Sequence, residues 1–315
     1  MLDRTDFGAT GLAITRIGFG AWAIGGGGWR FGWGPQADEE SIAAIHRALE
    51  QGVNWIDTAP VYGFGHSEEV VGRALAGLAE RPLVFTKCSL LEGPGRSPVH
   101  DLGRDSIRRE AEESLRLLGV DAIDLYQLHW PIPDEQIEEG WTALAELKQE
   151  GLVRHIGVSN FDVGQLRRIE GIAPVETLQP QYSLIAREVE DELLPFCEQA
   201  GIGVIVYSPM GAGLLTGAMT RERVATFPDD DWRKGAAPFA EPQLSRNLEL
   251  TERLRRVGER HGASAGEVAV AWTLRNPAVD GAIVGFRRPD QVDGILGAAS
   301  LELSAADVAE IERRD

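Results

Sequence analysis

The sequence predicts a closed (β/α)8 TIM barrel, with a hairpin before the first barrel strand and an extra helix at the C-terminus. The chain has 315 residues, which suits a barrel of about 250 residues with insertions. Short apolar runs alternate with amphipathic segments, a pattern typical of a parallel sheet. Several runs are continuously apolar, as expected for strands covered on both faces. We therefore expect residues 1–315 to form a single domain.

Eight apolar runs are the predicted barrel strands, and eight strand–helix units favour closure into a barrel. An open, doubly wound sheet of the same content is the structural alternative. In chain order the runs are Arg16–Phe19, Trp55–Ile56, Leu83–Phe85, Ala122–Leu128, His155–Val158, Thr177–Leu178, Val204–Val206 and Ala282–Val284.

Helices are predicted between the runs from capping residues and from apolar spacing of three and four residues. One helix is predicted to begin at Asp38 and to stop at Gly52, the next to begin at Ser67, and another to lie between Asp134 and Gly151. The predicted inward residues of these helices are Ile42, Ile45, Leu49, Val70, Val71, Ala74, Ile137, Trp141 and Leu144.

The remaining segments do not follow the strand–helix rhythm. A turn is expected at Gly8–Gly11, and Ser304–Asp315 is expected to form the C-terminal amphipathic helix. The glycine-rich stretch Gly25–Gly34 is expected to be neither helix nor strand, although it carries three aromatic residues. Ser208–Ala240 is too long for a passive connection, which favours a functional loop or lid.

Composition narrows the class of protein. The chain carries 31 Lys and Arg against 49 Asp and Glu, a net charge of −18, which argues against nucleic-acid and membrane-surface partners. Cys88 and Cys197 are too few for a disulfide framework, and the six scattered histidines predict no metal site. Without a long apolar run or a signal-peptide pattern, a soluble, cytoplasmic protein is expected. The oligomeric state stays open.

Polar residues lie where the predicted strands end. Asp57, Lys87 and His129 end the second, third and fourth runs, and Tyr62 lies in the loop five residues after Asp57. Barrel active sites lie at the carboxyl ends of the strands, so these side chains are expected to meet at one mouth. Each alone fits a structural role, but four together favour catalysis. The later strand ends carry Ser159, Asn160, Gln181, Tyr207, Ser208, Arg287 and Arg288.

These four residues suit carbonyl reduction, which needs a hydride on carbon and a proton on oxygen. The phenol of Tyr62 is the expected general acid/base, although a tyrosine pKa of about 10 is too high for exchange at neutral pH. An ammonium at Lys87 is expected to lower that pKa, with Asp57 holding the ammonium in place. His129, expected to be neutral, would orient the substrate oxygen or assist the proton transfer.

At these residues the chain resembles the aldo-keto reductase superfamily, from about Gly18 to Gln291. In motif it is closest to prokaryotic branches related to the potassium-channel β-subunit branch. The segments that carry the resemblance are Gly52–Gly63, Phe85–Lys87, Leu128–Pro131, Ile156–Phe161, Gln179–Tyr182 and Tyr207–Gly211.

The resemblance implies an NADPH-dependent oxidoreductase that interconverts aldehydes or ketones and alcohols. Tyr207 would stack on the nicotinamide, the diphosphate would lie under Ser208–Leu214, and Arg287 or Arg288 would meet a 2′-phosphate, so NADPH is favoured over NADH, which stays possible. The implied cofactor residues are Gly20, Trp22, Asp57, Ser159, Asn160, Gln181, Tyr207, Ser208, Gly211, Leu214, Gly285, Arg287 and Gln291.

The chain departs from the family pattern at two places that concern ligand binding. Ile295 stands where related branches often have Asn, and the long C-terminal loop of many animal members is missing. Substrate selection is therefore assigned to Trp33, Phe64 and Trp130, for a small-molecule carbonyl or alcohol.

Other functions fit parts of the sequence. An NADPH-binding regulatory or redox-sensing protein with weak turnover would keep the same barrel and residues. A barrel lyase or isomerase would use Asp57 and His129 without a nicotinamide. The Gly18–Ala23 segment matches a dinucleotide fingerprint, but that motif requires a helix to open at once, which the glycines at 25–28 forbid.

Overall fold

The structure is a computed structural model that describes residues 2–229 and 231–313. Its strands are β1 (Arg4–Asp6), β2 (Ala13–Thr15), β3 (Ile17–Gly20), β4 (Trp55–Asp57), β5 (Leu83–Cys88), β6 (Leu90–Glu92), β7 (Pro98–His100), β8 (Ile123–Leu128), β9 (Val153–Ser159), β10 (Thr177–Gln179), β11 (Gly203–Tyr207) and β12 (Gly281–Gly285). A closed barrel forms in the order β3-β4-β5-β8-β9-β10-β11-β12. Its neighbouring strands pair in parallel, and β12 closes onto β3. The predicted barrel is confirmed, and the open sheet is excluded.

The N-terminal hairpin closes the amino end of the barrel. β1 and β2 pair antiparallel, and Phe7, just after β1, and Ile14, within β2, join the core inside the barrel. The other buried members of that inner core are Trp55, Phe85, Leu125, Ile205 and Ile283. Gly18 faces this core, and a Cβ there would lie 2.2 Å from the Trp55 ring. The barrel interior is thus a packed core beneath the mouth.

Helices surround the barrel, and the larger core lies between them and the strands. They are α1 (Asp38–Glu50), α2 (His66–Leu75), α3 (Arg104–Leu118), α4 (Ile137–Gln149), α5 (Val163–Ile169), α6 (Leu193–Ala200), α7 (Arg221–Ala225), α8 (Gln243–His261), α9 (Ala265–Leu274), α10 (Pro289–Asp293) and α11 (Ala305–Glu312). The C-terminal helix is confirmed as α11, with Ser304 as its N-cap. None of the helices among the described residues has both the length and the apolar composition needed to cross a bilayer.

The predicted helices are present with small shifts. The buried face of α1 runs through Ser41, Ala44, Ile45 and Ala48, so Ile42 and Leu49 lie at its edge. Ser67 is the second residue of α2 rather than its cap, and its hydroxyl contacts the hydroxyl of Thr58 and donates to the carbonyl of Ala21. In α4 all three predicted inward residues are buried.

Three segments rise around the mouth. The first loop, Gly25–Gly34, contains neither helix nor strand, as predicted. The mouth hairpin, β6 and β7 with their turn (Leu90–His100), was not predicted. The long loop, Ser208–Ala240, contains the short helix α7 and several 3-10 turns. These three segments position the aromatic residues described below.

Candidate active site

The centre of the mouth holds a buried ion pair. The Nζ of Lys87, at the end of β5, lies 2.7 Å from Oδ1 of Asp57, at the end of β4. The same nitrogen donates to the carbonyl of Thr58 at 2.9 Å and lies 3.4 Å from the hydroxyl of Tyr62. Lys87 is 0% exposed and Asp57 2% exposed. The structure therefore brings together the phenol, the ammonium and the carboxylate predicted from separate parts of the chain.

The pKa of Tyr62 shifts in the direction opposite to the predicted lowering. Burial, and secondly the negative charge of Asp57, raise the pKa of the phenol well above its ordinary value. The expected lowering by Lys87 is wrong for this structure, because burial disfavours the charged phenolate and the nearby carboxylate of Asp57 adds to that effect. Tyr62 is a protonated hydroxyl at neutral pH, as a phenol with an ordinary pKa would also be.

The two members of the ion pair shift in opposite directions. Burial lowers the pKa of Lys87, while the attraction of Asp57 raises it. Burial raises the pKa of Asp57, opposed by Lys87 and by hydrogen bonds from neighbouring amides. Each group therefore depends on the other to stay ionised in a site that excludes water.

His129 lies beside these three residues and is neutral, as predicted. It is 9% exposed, and its ring lies edge-on to the ring of Tyr62, with centroids 5.9 Å apart. Burial lowers its pKa well below the usual value, with further lowering by Lys87 and His100. A neutral imidazole beside the phenol can donate a hydrogen bond to a substrate oxygen without carrying charge.

A row of amides and hydroxyls leads away from Asp57. The side-chain nitrogen of Gln179 donates to Oδ2 of Asp57 at 2.8 Å, and Ser159 Oγ donates to the backbone carbonyl of Gln179 at 2.7 Å. Asn160 Nδ2 lies 3.0 Å from Ser159 Oγ, and Tyr207 donates its hydroxyl to Asn160 Oδ1 at 2.8 Å. Ser159, Asn160 and Tyr207 therefore meet as predicted.

Gln179 is the residue that sequence reasoning missed in this row. The side chain of Gln181, the predicted residue, is exposed, whereas Gln179 is 2% exposed. β10 continues to Gln179, so this side chain, one position past the predicted run, still lies inside the barrel end. The sequence signal that could have identified Gln179 is its position directly after Leu178, the last residue of the predicted strand.

Backbone strain marks three of the predicted site residues. Phe64, Asn160 and Ser208 have φ angles of 54°, 64° and 56°, in the left-handed region that costs about 1–3 kcal/mol for a residue other than glycine. Asparagine tolerates that region better than phenylalanine or serine does. Strain of this kind persists where the surroundings fix the conformation, and it is typical of ligand sites.

The glycine-rich start of the long loop folds into tight turns. The N–H groups of Gly211, Gly213 and Leu214 donate to carbonyls of Ser208, Met210 and Gly211. The Leu214 side chain is fully buried. The tight turns that the glycines permit use up these donors locally.

Positive charge gathers at the end of β12. Gly285 pairs with Gly20 across the barrel seam. Oε1 of Gln291 accepts from the backbone N–H groups of Arg287 and Arg288, at 2.7 and 3.2 Å. Arg288 is exposed and pairs with Asp290 at 3.1 Å. Burial and the charges of Arg233 and Arg288 lower the pKa of Arg287, so cationic groups converge here.

An aromatic wall stands beside Tyr62. We call Trp22, Trp33 and Trp232 the tryptophan cluster: Trp22 stacks on Trp232 at 5.4 Å and meets Trp33 edge-on at 5.4 Å. Trp22 also stacks on Tyr62 at 6.3 Å, so this predicted cofactor residue lies in the wall. Trp232, from the long loop, was not predicted as a site residue.

The other predicted substrate residues lie at the rim. The half-buried ring of Phe64 meets the ring of Trp29 edge-on at 5.9 Å, and the guanidinium of Arg96 lies 5.3 Å from its centre. Trp130 is 37% exposed. The mouth thus combines a polar floor with an apolar rim.

A parallel barrel with a Lys–Asp pair, a tyrosine and a histidine at its mouth suits an oxidoreductase that acts on carbonyl compounds. Residues 16–315 match the Aldo/keto reductase family, and the chain belongs to that family, whose members use nicotinamide cofactors.

Relatives cover nearly the whole chain. It is 38% identical over 313 residues to aldo-keto reductase YhdN of Bacillus subtilis (strain 168), covering 98% of this chain and 92% of that protein. It is 35% identical over 320 residues to the NADH-specific methylglyoxal reductase of Escherichia coli (strain K12), covering 97% and 96%. Glycerol dehydrogenase AKR11B4 of Gluconobacter oxydans superposes with a TM-score of 0.89 at 37% identity, covering 98% and 94%.

Proposed function

We propose that this protein is an NADPH-dependent aldo-keto reductase in which Tyr62 is the general acid/base for interconversion of aldehydes or ketones and alcohols. One observation carries the proposal. The Nζ of Lys87 is held 2.7 Å from Asp57 and 3.4 Å from the hydroxyl of Tyr62, next to a neutral histidine.

When bound, the nicotinamide supplies the hydride. Tyr62, a protonated phenol at neutral pH, donates its proton to the carbonyl oxygen as the alcohol forms. Lys87 then stabilises the phenolate at the Tyr62 oxygen, and Asp57 keeps that ammonium charged and fixed. His129 orients the substrate oxygen by a hydrogen bond. General acid catalysis of this type contributes about 10²–10⁴-fold.

The residues near Tyr207 fit a nicotinamide. Tyr207 offers a half-buried aromatic face, and Ser159, Asn160 and Gln179 offer amide and hydroxyl groups that suit a carboxamide. We keep Gln181 as a rim contact of the same ring. The other proposed cofactor contacts remain Gly20, Trp22, Asp57, Ser208, Gly211, Leu214, Gly285 and Gln291.

The cations at the end of β12 support NADPH as the preferred cofactor. Arg287 and Arg288 lie together, and guanidinium groups suit a 2′-phosphate through paired hydrogen bonds. The E. coli relative is NADH-specific, so the preference is a proposal for this chain. The 2′-phosphate is the only part of the molecule that distinguishes NADPH from NADH.

The rim supports a small-molecule carbonyl or alcohol substrate. Trp33, Phe64 and Trp130 are the proposed contacts, and the names of two relatives, a methylglyoxal reductase and a glycerol dehydrogenase, agree with small oxygenated compounds.

The test is a screen of cofactor oxidation, with NADPH and then NADH, against a panel of aldehydes, ketones, sugars and quinones. We expect turnover of several aldehydes, with higher kcat/KM for NADPH. Tight NADPH binding with negligible turnover throughout would instead favour a regulatory or redox-sensing protein. Failure to bind either nucleotide would contradict both the reductase and the regulatory function.

A further inference from the structure

We propose that Gln36 and Arg287 form a clasp that holds Trp33 in the wall beside Tyr62, so that Gln36 is a positioning residue for substrate binding. The inference rests on the proposed function, because it assigns the wall to the substrate. It adds to Arg287 a second role, distinct from the phosphate contact.

The clasp joins groups far apart in the sequence. Arg287 Nε donates to Gln36 Oε1 at 2.6 Å, and Gln36 Nε2 donates in return to the backbone carbonyl of Arg287 at 2.9 Å. Arg287 Nη1 donates to the carbonyl of Trp33 at 3.2 Å, and Nη2 donates to that of Pro35 at 2.5 Å. Every side-chain nitrogen of Arg287 is thus directed into residues 33–36.

Residues 25–36 depend on such a tie because they contain no helix or strand. Gly26, Gly28 and Gly34 adopt positive φ angles of 75–78°, and glycines carry the largest entropy cost of ordering. The indole N–H of Trp33 is buried and has no hydrogen-bond partner among the described residues. The position of Trp33 is therefore set by its backbone and by ring contacts.

Those ring contacts lead to the reacting group. Trp33 meets the rings of Trp22 and Trp232 at 5.4 and 5.9 Å, and Trp22 stacks on Tyr62. Arg233, 8% exposed, lies 4.5 Å from the centre of the Trp33 ring. If the clasp is released, Trp33 can leave the cluster, and the substrate loses one side of its binding surface while the Lys87–Asp57 pair is untouched.

Four variants distinguish the role of Arg287 in the clasp from its proposed contact with the 2′-phosphate. Gln36→Leu removes two of the four hydrogen bonds of the clasp without removing a charge, and leaves the two from Arg287 to the carbonyls of Trp33 and Pro35. Arg287→Lys keeps a charge but loses the planar fork of donors. Arg288→Ala removes a neighbouring charge without touching the clasp. Gln149→Leu, at an exposed position at the end of α4, is the matched control.

The first experiment measures hydrogen–deuterium exchange of the cofactor-free protein. Gln36→Leu and Arg287→Lys should both increase exchange in peptides covering residues 25–36, because each removes hydrogen bonds between this segment and Arg287. Arg288→Ala and Gln149→Leu should match the wild type. Unchanged exchange in both clasp variants would overturn the proposal, and this result does not depend on any catalytic activity.

The second experiment measures kinetics at saturating NADPH. Loss of two hydrogen bonds at Gln36 should raise KM for an aldehyde about tenfold, with a much smaller change in kcat and in NADPH affinity. An unchanged KM, or weaker NADPH binding alone, would overturn the assignment to the substrate wall. If the wild type turns over no carbonyl, the proposed function fails, and the exchange experiment still decides whether the clasp exists.

Discussion

Replacing Lys87 by Met tests the buried ion pair at the centre of the site. The substitution keeps an apolar stem of similar length and removes the ammonium that contacts Asp57 at 2.7 Å and the carbonyl of Thr58 at 2.9 Å. Asp57, 2% exposed, then keeps the hydrogen bond from Gln179 but no counter-charge. Breaking one side of a buried pair costs about 3–5 kcal/mol, so we expect a loss of that size in the free energy of unfolding at pH 7.

The expected loss has a definite pH dependence. Burial already raises the pKa of Asp57, and removal of Lys87 raises it further. A carboxyl with a raised folded-state pKa stabilises the protein at low pH and loses that contribution as pH rises through the folded-state value. The deficit of Lys87→Met should therefore be smaller at pH 5 than at pH 8.

Urea unfolding followed by tryptophan fluorescence measures this deficit. The control is the double variant Lys87→Met/Asp57→Asn, which removes both charges and should recover much of the lost stability without recovering activity. A deficit below about 1 kcal/mol, the level of an exposed pair, would refute the buried pair. So would a double variant as unstable as Lys87→Met alone.

Three further outcomes follow from groups around the site. Burial raises the pKa of Glu68 from 4.5 to about 7, so the stabilisation that its protonated form provides is lost as pH rises between these values. Over that range the free energy of unfolding of Glu68→Gln should increase relative to wild type by about 1.4 kcal/mol per pH unit. Parallel pH–stability curves would contradict this prediction. In fluorescence titrations, Arg288→Ala should weaken the binding of NADPH about tenfold more than the binding of NADH. Equal losses of affinity for both cofactors would show that the 2′-phosphate contacts another residue. Arg233→Met removes the guanidinium that pairs with the buried carboxylate of Asp231 and leaves it only the backbone N–H of residue 233. The free energy of unfolding should fall by about 3 kcal/mol; a thermal-melt curve identical to wild type would exclude that pairing.

The barrel could be predicted because its signal is local. Most of the barrel strands contain a short apolar run with a polar residue at or just after its end, and parallel strands bring their carboxyl ends to one mouth. Asp57, Lys87 and His129 were placed by that rule alone. Tyr62 followed because its loop leaves the same strand end as Asp57.

The missed features depend on packing that no local pattern records. The mouth hairpin has strands of three residues around Gly93, Pro94 and Gly95, too short for an alternating pattern. Trp232 reaches the wall only because the long loop folds back over the barrel. The direction of the Tyr62 pKa shift was mispredicted because sequence supplies the neighbouring ammonium but not the degree of burial, which has the larger effect here.

The most direct test of the catalytic account compares Tyr62→Phe with wild type in one experiment, by NADPH titration and by kcat/KM for the best aldehyde. Phenylalanine keeps the ring that stacks on Trp22 and removes only the proton donor. We expect NADPH affinity within about twofold of wild type and kcat/KM lower by about 10²–10⁴-fold. A variant that retains wild-type kcat/KM would show that another group delivers the proton, and the role assigned to Tyr62 would be wrong.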